Sequence, residues 1–578
     1  MSSNTPNFDA KMKTILDELT PGERTCAITG EKWSMTETEI NWYKKFNVPP
    51  SQLSPLTRLK LIDGYFVTFD MWYNKHAETG KPMVSIVHPA TGIRVLSDKE
   101  WFDKDFTDRG QALDLPRSFF DQLYALVLAV PVAATYNYVV PENSIAFISL
   151  GDQDSYFVLA CRSKRTFYAM NGYDIEDSAE LTLVNNARNS YNACHSARIY
   201  QCRFVRETYD CINCTFVFDC RNCENCFGAT NQRNKKYLWF NEQLSKDEWE
   251  RRRAEIDLTS FAVRDAHEKK FHDLVASAVW PENFVISAPD STGDYIYEST
   301  RCKDCYYVTK GCQDLDQCSY AFNTPSNNCY LSTAIFGSSD CYYGIGAGNS
   351  SQCRFTMSIL NNCFDVEYST SCYNCEHCFG CVGLRHKKFC ILNKQYTEEE
   401  YWQKLDELKC AMLERGEYGE LPPLKFSTQH WKGSGAALVY GATKEECQKL
   451  GALDFEAGAE DAEGPVVDPA LMGSLESLPD CLGASDDISG KPFKDTVFGR
   501  RFSYLKPELE LYKTLNVAPP RKHPTRRIRE LYAEMNIAVF VEANCAHCQK
   551  SIQTAGNSNY PNRQIYCSAC YLNYLQSR

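Results

Sequence analysis

The chain has 578 residues, a formal net charge of −12, and 43% hydrophobic and 24% charged residues. This balance is typical of a globular protein, and it excludes a wholly disordered chain and a collagen-like one. The acidic charge predicts no bulk attraction to nucleic acid or to an anionic membrane. The 29 cysteines are too dense to be incidental and too sparse for a small disulfide scaffold.

The first residues, MSSNTPNFDAKMKTILDEL, are polar and contain no apolar signal core, so we expect a protein that is not secreted. In a cytoplasmic or virion setting, clustered cysteines are thiols or metal ligands more often than disulfides. The most apolar stretch, residues 122–141, is interrupted by Pro131. It predicts a buried helix followed by a strand, and no membrane span.

The cysteines fall into two blocks, eight from Cys161 to Cys226 and thirteen from Cys302 to Cys390. The segments that begin at Cys220 and Cys372 align without gaps at an offset of 152, and both lead into a helix-capping sequence at Ser245 and Thr397. We therefore predict a duplication. The predicted segments are a ribbon-like module (1–110), a first block with its helices (111–260), a second block with its helices (261–420), an acidic linker (421–490) and a C-terminal zinc ribbon (491–578).

A finer period runs inside the blocks. Cys202, Cys214 and Cys226 follow one another at a constant interval, and Cys329, Cys341 and Cys353 repeat the same interval, with Asn, Ser, Gly and Asp between them. Short β segments at a fixed short period predict stacked rungs. The expected fold is mainly β with helices, with two duplicated short-rung β-solenoid blocks flanked by ribbon-like modules. A β-meander of small hairpins is the alternative.

A second repeat relates the two ends of the chain. The segments that begin at Gly30 and Gly499 align at an offset of 469, and they pair Glu39 with Glu508 and Arg58 with Arg527. Between the second block and the C-terminal copy, Leu450 to Gly490 contains ten acidic residues and neither Lys nor Arg. This composition predicts a flexible tether.

The most specific motif is a pair of CxxC sequences, Cys545 with Cys548 and Cys567 with Cys570, and positions 549–566 lie between them. This spacing predicts a structural zinc ribbon, in which four thiolates fill the coordination sphere and leave no catalytic position. His547, inside the first pair, is expected to be exposed. In the N-terminal repeat, with a slip of two residues in the alignment, His76, Thr79, Leu96 and Lys99 fall near the ligand positions, which predicts a metal-free copy.

A further set of closely spaced cysteines lies inside the two blocks. Three interpretations stay open for it: packing as small buried side chains, zinc binding, and an iron–sulfur cluster. The set comprises Cys211, Cys214, Cys220, Cys223, Cys226, Cys372, Cys375, Cys378 and Cys381.

The sequence contains no P-loop, no GxGxxG after a strand, no HExxH and no GxSxG, so we do not expect an enzyme. A basic stretch precedes the ribbon. It either contacts phosphates of a nucleic acid or is a solvated helix start that pairs with the acidic linker. Its basic residues are Arg521, Lys522, Arg526, Arg527 and Arg529.

Several motifs together carry a family resemblance: NVPP near the start, FFDQL before Val130-Pro131, CENCFG, CEHCFGCVGLRHKKFC and a closing YCSACY. The chain resembles a cysteine-rich, zinc-ribbon-containing family of small-genome uncultured bacteria and large DNA viruses, some members of which carry a CaiB/BaiF label. In that family a CPxCR sequence often follows the NVPP motif. Here those places hold Ser54 to Arg58 and His523 to Arg527, so the resemblance implies a full ligand set only in the C-terminal pairs.

The expected function is a non-enzymatic, zinc-binding structural or protein-interaction scaffold of a virion or another large assembly, with protein partners or self-assembly. Two alternatives stay open. One is a nucleic-acid-associated zinc-ribbon factor, and the other is an enzyme of acyl or CoA transfer or of iron–sulfur redox chemistry.

Overall fold

The computed structural model describes residues 4–322, 324–458, 467–483 and 487–578. Contacts divide the chain into two compact units, and each combines two separate stretches: Met1–Ala134 with Phe284–Ala462, and Thr135–Asn283 with Glu463–Arg578. Each unit therefore contains one end of the chain and one cysteine-rich block. The five serial segments predicted from the sequence do not map one to one onto these units. The structure is mixed α/β, with many strands in parallel pairs.

The N-terminal stretch of the first unit consists of hairpins and helices. The strand pairs β1–β2 and β3–β4 are antiparallel. Helix α5 followed by β6 confirms the predicted buried helix and strand at residues 122–141. The elements are α1 (Pro6–Asp17), β1 (Gly22–Thr25), β2 (Lys32–Met35), α2 (Glu37–Phe46), α3 (Pro55–Asp63), β3 (Trp72–Lys75), β4 (Pro82–Ser85), β5 (Val95–Leu96), α4 (Asp98–Phe102), α5 (Phe119–Ala129) and β6 (Val132–Ala133).

The first cysteine-rich block lies in the second unit and is built on parallel pairing. Phe167 aligns with Ala179, and Ala179 with Tyr191, so the register advances at each step by the interval that separates Cys202 from Cys214. Two helices follow the strands. The elements are β7 (Ile145–Phe147), β8 (Tyr156–Lys164), β9 (Phe167–Glu176), β10 (Ala179–Arg188), β11 (Tyr191–Tyr200), β12 (Arg203–Arg206), β13 (Tyr209–Ile212), β14 (Thr215–Phe218), β15 (Leu238–Trp239), β16 (Glu242–Gln243), α6 (Lys246–Ala254), α7 (Phe261–Ser277) and β17 (Val279–Pro281).

The second block lies in the first unit and pairs in the same way. Tyr330 aligns with Tyr342, and Glu376 with Lys388, which is the same interval again. The elements are β18 (Val285–Ile286), β19 (Gly293–Tyr297), β20 (Thr300–Lys303), β21 (Cys305–Thr309), β22 (Gln313–Asp316), β23 (Ser319–Ala321), β24 (Tyr330–Thr333), β25 (Tyr342–Ile345), β26 (Ala347–Gly348), β27 (Leu360–Asn361), β28 (Phe364–Glu367), β29 (Glu376–Phe379), β30 (Lys388–Ile391), β31 (Lys394–Gln395), α8 (Glu398–Glu414), α9 (Gly435–Tyr440) and α10 (Lys444–Lys449).

The C-terminal stretch of the second unit repeats the pattern of hairpin and helix. Its hairpins are β32–β33 and β34–β35. The elements are β32 (Pro492–Lys494), β33 (Arg501–Ser503), α11 (Lys506–Leu515), α12 (Pro524–Ala533), β34 (Phe540–Asn544), β35 (Ser551–Ala555), β36 (Gln564–Tyr566) and α13 (Ser568–Gln576).

The predicted acidic linker lies partly outside the described residues, at 459–466 and 484–486. Some of its described residues are packed. Leu475 and Ile488 belong to a buried cluster with Phe493. Asp480 accepts hydrogen bonds from Ser260 and from the backbone of Ala262. These contacts tie part of the segment to the second unit, because burial of its few apolar side chains outweighs the high charge of the segment.

Left-handed backbone recurs every third residue along both blocks, as at Asp210, Asn213 and Phe216. Asn and Asp adopt this conformation more readily than most other residues do, which explains why they recur there. The residue that follows each of these three positions is buried, namely Cys211, Cys214 and Val217.

This local pattern decides which sulfurs share a repeat. The two cysteines of a CxxC pair, such as Cys211 and Cys214, follow one another along the same repeat. Cys211 and Cys223 instead belong to neighbouring strands, because Tyr209 pairs with Arg221 and Ile212 with Glu224. The run of CxxC steps thus places Cys211 and Cys214 on one repeat and Cys223 and Cys226 on the next.

Candidate metal centre

The C-terminal ribbon places its two cysteine pairs in different local structures. Cys545 to Cys548 form the turn of the β34–β35 hairpin, where Cys545 N donates to Lys550 O at 2.9 Å and Gln549 N donates back to Cys545 O at 2.9 Å. Cys567 is the N-cap residue of α13, which places Cys570 in the first turn of that helix. A tight turn and a helix start each present two sulfurs in one direction.

The four sulfurs of this ribbon come together. They all lie within 4.8 Å of one another, and Cys548 Sγ is 3.8 Å from Cys567 Sγ. Such a group suits a tetrahedral ion with four thiolate ligands. Among the residues that the structure describes, no other group of three or more His, Cys, Asp or Glu side chains has ligand atoms this close together. The prediction of a tetracysteine cluster that can hold a metal is thus supported by its geometry.

The backbone around the cluster favours a thiolate. Cys545 Sγ accepts N–H groups from Cys567 at 3.2 Å and Cys548 at 3.5 Å. Burial opposes ionisation of this thiol, but the backbone donors lower its pKa to about 6. His547 Nδ1 lies 3.5 Å from Cys570 Sγ, in the outer part of the cluster. The thiolate is the form that binds a metal.

The ribbon is joined to the first block within the second unit. Strand β36 pairs in parallel with β17. Ser568 N donates to Glu282 Oε1 at 2.9 Å, at the start of α13. The Tyr571 hydroxyl on the same helix bonds to Asp219 and accepts from Asn231 Nδ2 at 3.1 Å. The position of α13, and with it half of the ligand set, therefore depends on contacts outside the ribbon.

Three further hairpin turns share the backbone geometry of the Cys545 turn. In each of them, the N–H of the first turn residue donates to a carbonyl across the turn, and the carbonyl of the same residue accepts an N–H from the far side. The three pairs are Cys26 N to Glu31 O (2.8 Å) with Gly30 N to Cys26 O (2.9 Å), His76 N to Lys81 O (2.9 Å) with Gly80 N to His76 O (2.9 Å), and Asp495 N to Arg500 O (3.0 Å) with Gly499 N to Asp495 O (2.7 Å).

In the N-terminal stretch, the turn after β3 and the start of α4 are joined by a hydrogen bond between His76 and Glu100. His76 Nε2 lies 2.7 Å from Glu100 Oε2, and its Nδ1 accepts N–H from Thr79 at 3.2 Å. Leu96 and Lys99 each lie one residue before the structurally corresponding positions. Ser97 is the N-cap of α4, as Cys567 is of α13, so Ser97 and Glu100 are the equivalent positions.

Polar contacts also close the two turns that face the CPxCR-like positions. Asp495 accepts N–H groups from His523 at 2.9 Å and Phe498 at 3.0 Å, and Arg526 Nη1 donates to it at 3.0 Å. Cys26 Sγ lies 3.6 Å from Thr57 Oγ1. These turns lack the thiol sets that zinc prefers.

The nine block cysteines of the sequence analysis are all buried. Each thiol donates to the backbone carbonyl two residues before it, at 3.3–3.5 Å, as from Cys211 to Tyr209 O and from Cys378 to Glu376 O. These distances suit protonated thiols, and among the described residues the nine sulfurs form no group with the close spacing of the C-terminal cluster. This arrangement favours the packing interpretation, whereas zinc and iron–sulfur binding in the blocks stay predictions.

The basic stretch before the ribbon is engaged within the second unit. Arg521 donates to the carbonyls of Leu475 (3.3 Å) and Pro479 (2.7 Å), both in the predicted linker. Lys522 pairs with Glu530 at 2.7 Å. Arg526 pairs with Asp495, and Arg527 pairs with Glu180 at 2.6 Å. Arg529 lies 5.3 Å from the ring of Phe498. This pattern agrees with a helix start that pairs internally.

A buried network in each unit was not recognised from the sequence, although its residues align in the end repeat. In the first unit, Arg58 donates to Glu39 Oε1 at 2.6 Å and to the Tyr43 hydroxyl at 3.0 Å. In the second unit, Arg527 donates to the Tyr512 hydroxyl at 2.8 Å. The signal available was the offset of 469, which pairs a Glu, a Tyr and an Arg that are all buried.

Comparison with known proteins adds little. No family model and no curated protein matches the chain. One similar solved structure is a crystal structure of a putative acetyltransferase from Desulfovibrio desulfuricans G20, with 11% identity and a TM-score of 0.10 over 41% of this chain and 63% of that chain. The match thus spans less than two thirds of that protein. Among the described residues, no helix has the length and apolar character needed to cross a membrane.

Proposed function

We propose that this protein is a zinc-stabilised structural scaffold in which the C-terminal tetracysteine cluster is the metal site. The observation that carries the proposal is the convergence of four sulfurs within 4.8 Å, with no fifth protein ligand required. Zinc suits four thiolates in tetrahedral geometry, and a closed set of this kind stabilises the fold and does not catalyse.

In this proposal the two cysteine-rich blocks are β-solenoids. Support comes from the parallel register, which repeats the cysteine period in both blocks, and from left-handed backbone at every third residue. Each coil then has four sides of three residues, with one inward side chain on each side. Coils that bury side chains only against their neighbours offer long regular outer faces to protein partners or to further copies of the chain.

The four similar hairpin turns are, in this proposal, copies of one metal-binding element, three of which have exchanged the metal for polar contacts. A hydrogen bond between His76 and Glu100 and a carboxylate at Asp495 join hairpin to helix, as the zinc ion does at the C-terminal site in this proposal. We therefore expect about one zinc per chain, since only one turn keeps four thiols.

Elemental analysis of the purified full-length protein tests the proposal. We expect about one equivalent of zinc per chain in the parent protein and a loss of most of it in Cys548→Ser, because each thiolate contributes to a shared site. Cys481→Ser is the matched control, since Cys481 is also exposed but lies outside the cluster. Full zinc content in Cys548→Ser would refute the assignment, and so would a parent protein without zinc that remains resistant to protease at its C-terminus.

A further inference from the structure

One side of the first cysteine-rich block carries a column of side chains, one from each of six consecutive repeats. The parallel register aligns each of them with the next along the block, as Arg188 with Tyr200 and Tyr200 with Ile212. Steps of about 4.8 Å between neighbouring strands make the column about 24 Å long. Its members, in order, are Glu176, Arg188, Tyr200, Ile212, Glu224 and Lys236.

The members of this column face solvent. Tyr200 and Ile212, at its centre, expose 40% and 47% of their surface. The side chains of the four charged members expose between 32% and 62%. The residues that directly precede the members between Arg188 and Ile212 are instead buried inside the block, namely Ala187, Ile199 and Cys211.

The helices of the second unit pack on other sides of this block. Arg527 of α12 pairs with Glu180 at 2.6 Å, and the ring of Phe271 of α7 lies 5.7 Å from that of Phe216. The column therefore stays open, with an apolar centre between charged ends. An apolar centre inside a charged rim is the usual anatomy of a protein–protein interface.

The charges of the column are complementary to themselves about its centre. Glu176 pairs with Arg188 at 3.3 Å at one end, and Glu224 pairs with Lys236 at 2.6 Å at the other. From the first end the order is acid, base, two apolar residues, acid, base, and from the other end each charge is reversed. An antiparallel second copy therefore places an opposite charge against every charge of the column and the two apolar side chains against each other.

A neighbouring register does not have this property. If the second copy is shifted by one repeat, Glu176 faces Glu224 of that copy, and a shift in the other direction places Arg188 opposite Lys236. Like charges directly opposite one another are destabilising. The charge order thus favours one register and disfavours those on either side of it.

We propose that this column is the contact surface of a homodimer, in which two antiparallel copies are related by a two-fold axis that runs along the strands at the centre of the column. Arg188 of each copy then faces Glu224 of the other, and in the flanking column the exposed Arg198 faces the exposed Asp210. Each ion pair meets a reversed pair, and such a network of four charges contributes more than an isolated exposed pair. The same patch serves both copies, so the assembly closes at two.

The inference rests on the scaffold function proposed above for its class of partner, a second copy of this chain, and does not depend on the zinc site. Sedimentation equilibrium of the full-length protein at a series of concentrations tests it. We expect a reversible monomer–dimer equilibrium with a dissociation constant below about 100 µM. A parent protein that stays monomeric, or that forms assemblies larger than a dimer, would overturn the proposal.

Two charge reversals identify the surface and its register. Arg188→Glu and Glu224→Arg, each alone, are expected to raise the dissociation constant at least about tenfold, because both symmetric contacts become like-charged. An equimolar mixture of the two variants is expected to form a heterodimer at least about tenfold tighter than either homodimer, since the two reversed positions face each other and the two unchanged positions do the same. A variant that had merely lost its fold would not be rescued in this way.

Arg251→Glu is the matched control, because Arg251 is an exposed arginine of the same unit that also pairs within the chain, with Glu248 at 2.9 Å, but lies on α6. Its dissociation constant is expected to equal that of the parent protein. Unchanged dimerisation in both single variants, or a mixture that associates no better than they do, would refute the column as the interface. The zinc content of every variant is expected to stay at the parent level, so a failure of this inference is distinguishable from a failure of the zinc assignment.

Discussion

Substitution of Cys341 distinguishes a packed thiol interior from a metal-bound one. Cys341 is 3% exposed, and its neighbours at the same place on adjacent repeats, Cys329 and Cys353, are equally buried. The register Tyr330 to Tyr342 places these repeats on paired strands, about 4.8 Å apart. The Cys341 thiol donates to Ser339 O at 3.4 Å and lies 3.9 Å from Ser350 O.

The magnitude follows from these contacts. Cys341→Ala removes one buried sulfur and a weak hydrogen bond, and Ser350 O keeps its backbone donor, Ser339 N, at 3.0 Å. The expected cost is therefore about 1 kcal/mol of unfolding free energy. Cys341→Leu adds volume where both neighbouring repeats are already filled, so we expect a larger loss, about 2–3 kcal/mol.

Urea denaturation followed by circular dichroism measures the two costs, and elemental analysis measures the metal in each variant. We expect both Cys341 variants to keep the zinc content of the parent protein, while Cys548→Ala, as the control, loses it. If Cys341→Ala were as damaging as Cys341→Leu and also lost metal, the sulfur would be a ligand and the packing interpretation would be refuted.

Substitutions at four further positions test other parts of the structure. Burial raises the pKa of Asp63 to about 7, so the folded protein holds this proton more tightly than the unfolded chain does. The free energy of unfolding therefore contains a favourable contribution from protonated Asp63 that is full below about pH 4 and is lost as the pH rises to about 7, by up to about 4 kcal/mol. Asp63→Asn should remove this pH dependence from denaturation midpoints measured across the same range. Asp495→Ala leaves the buried backbone N–H of His523 without its acceptor and removes one of the two ion pairs of Arg526, so it should cost about 3 kcal/mol in thermal melts, with Asp495→Asn intermediate. At Gly293 (φ 125°) a Cβ would lie 2.0 Å from Cys305 O, so Gly293→Ala should cost at least about 3 kcal/mol, whereas Gly416→Ala, with a positive φ but open space, should cost about 1 kcal/mol. Equal melting points for the two glycine variants would contradict the crowding argument.

Features fixed by short-range chemistry could be predicted from the sequence. Within each of the cysteine pairs at 545–548 and 567–570, the two sulfurs lie close together because a tight turn and a helix start fix their spacing. The interval between Cys329 and Cys341 recurs as the register of parallel strands, in which Tyr330 pairs with Tyr342. Asn and Asp recur at left-handed positions because their backbone tolerates that conformation. In each case the information lies within a short stretch of the chain.

Only the tertiary structure decided how distant segments combine. The first unit joins the N-terminal stretch to the second cysteine-rich block, and the second unit joins the C-terminal stretch to the first block. Glu508 and Arg527 therefore lie beside Glu180 of the first block. The hydrogen bond between His76 and Glu100 was equally hidden, because the helix start that supplies Glu100 is displaced by one residue from the position that the sequence alignment indicated. Pairing across hundreds of residues depends on the shapes and charges of whole surfaces, which local spacing does not encode.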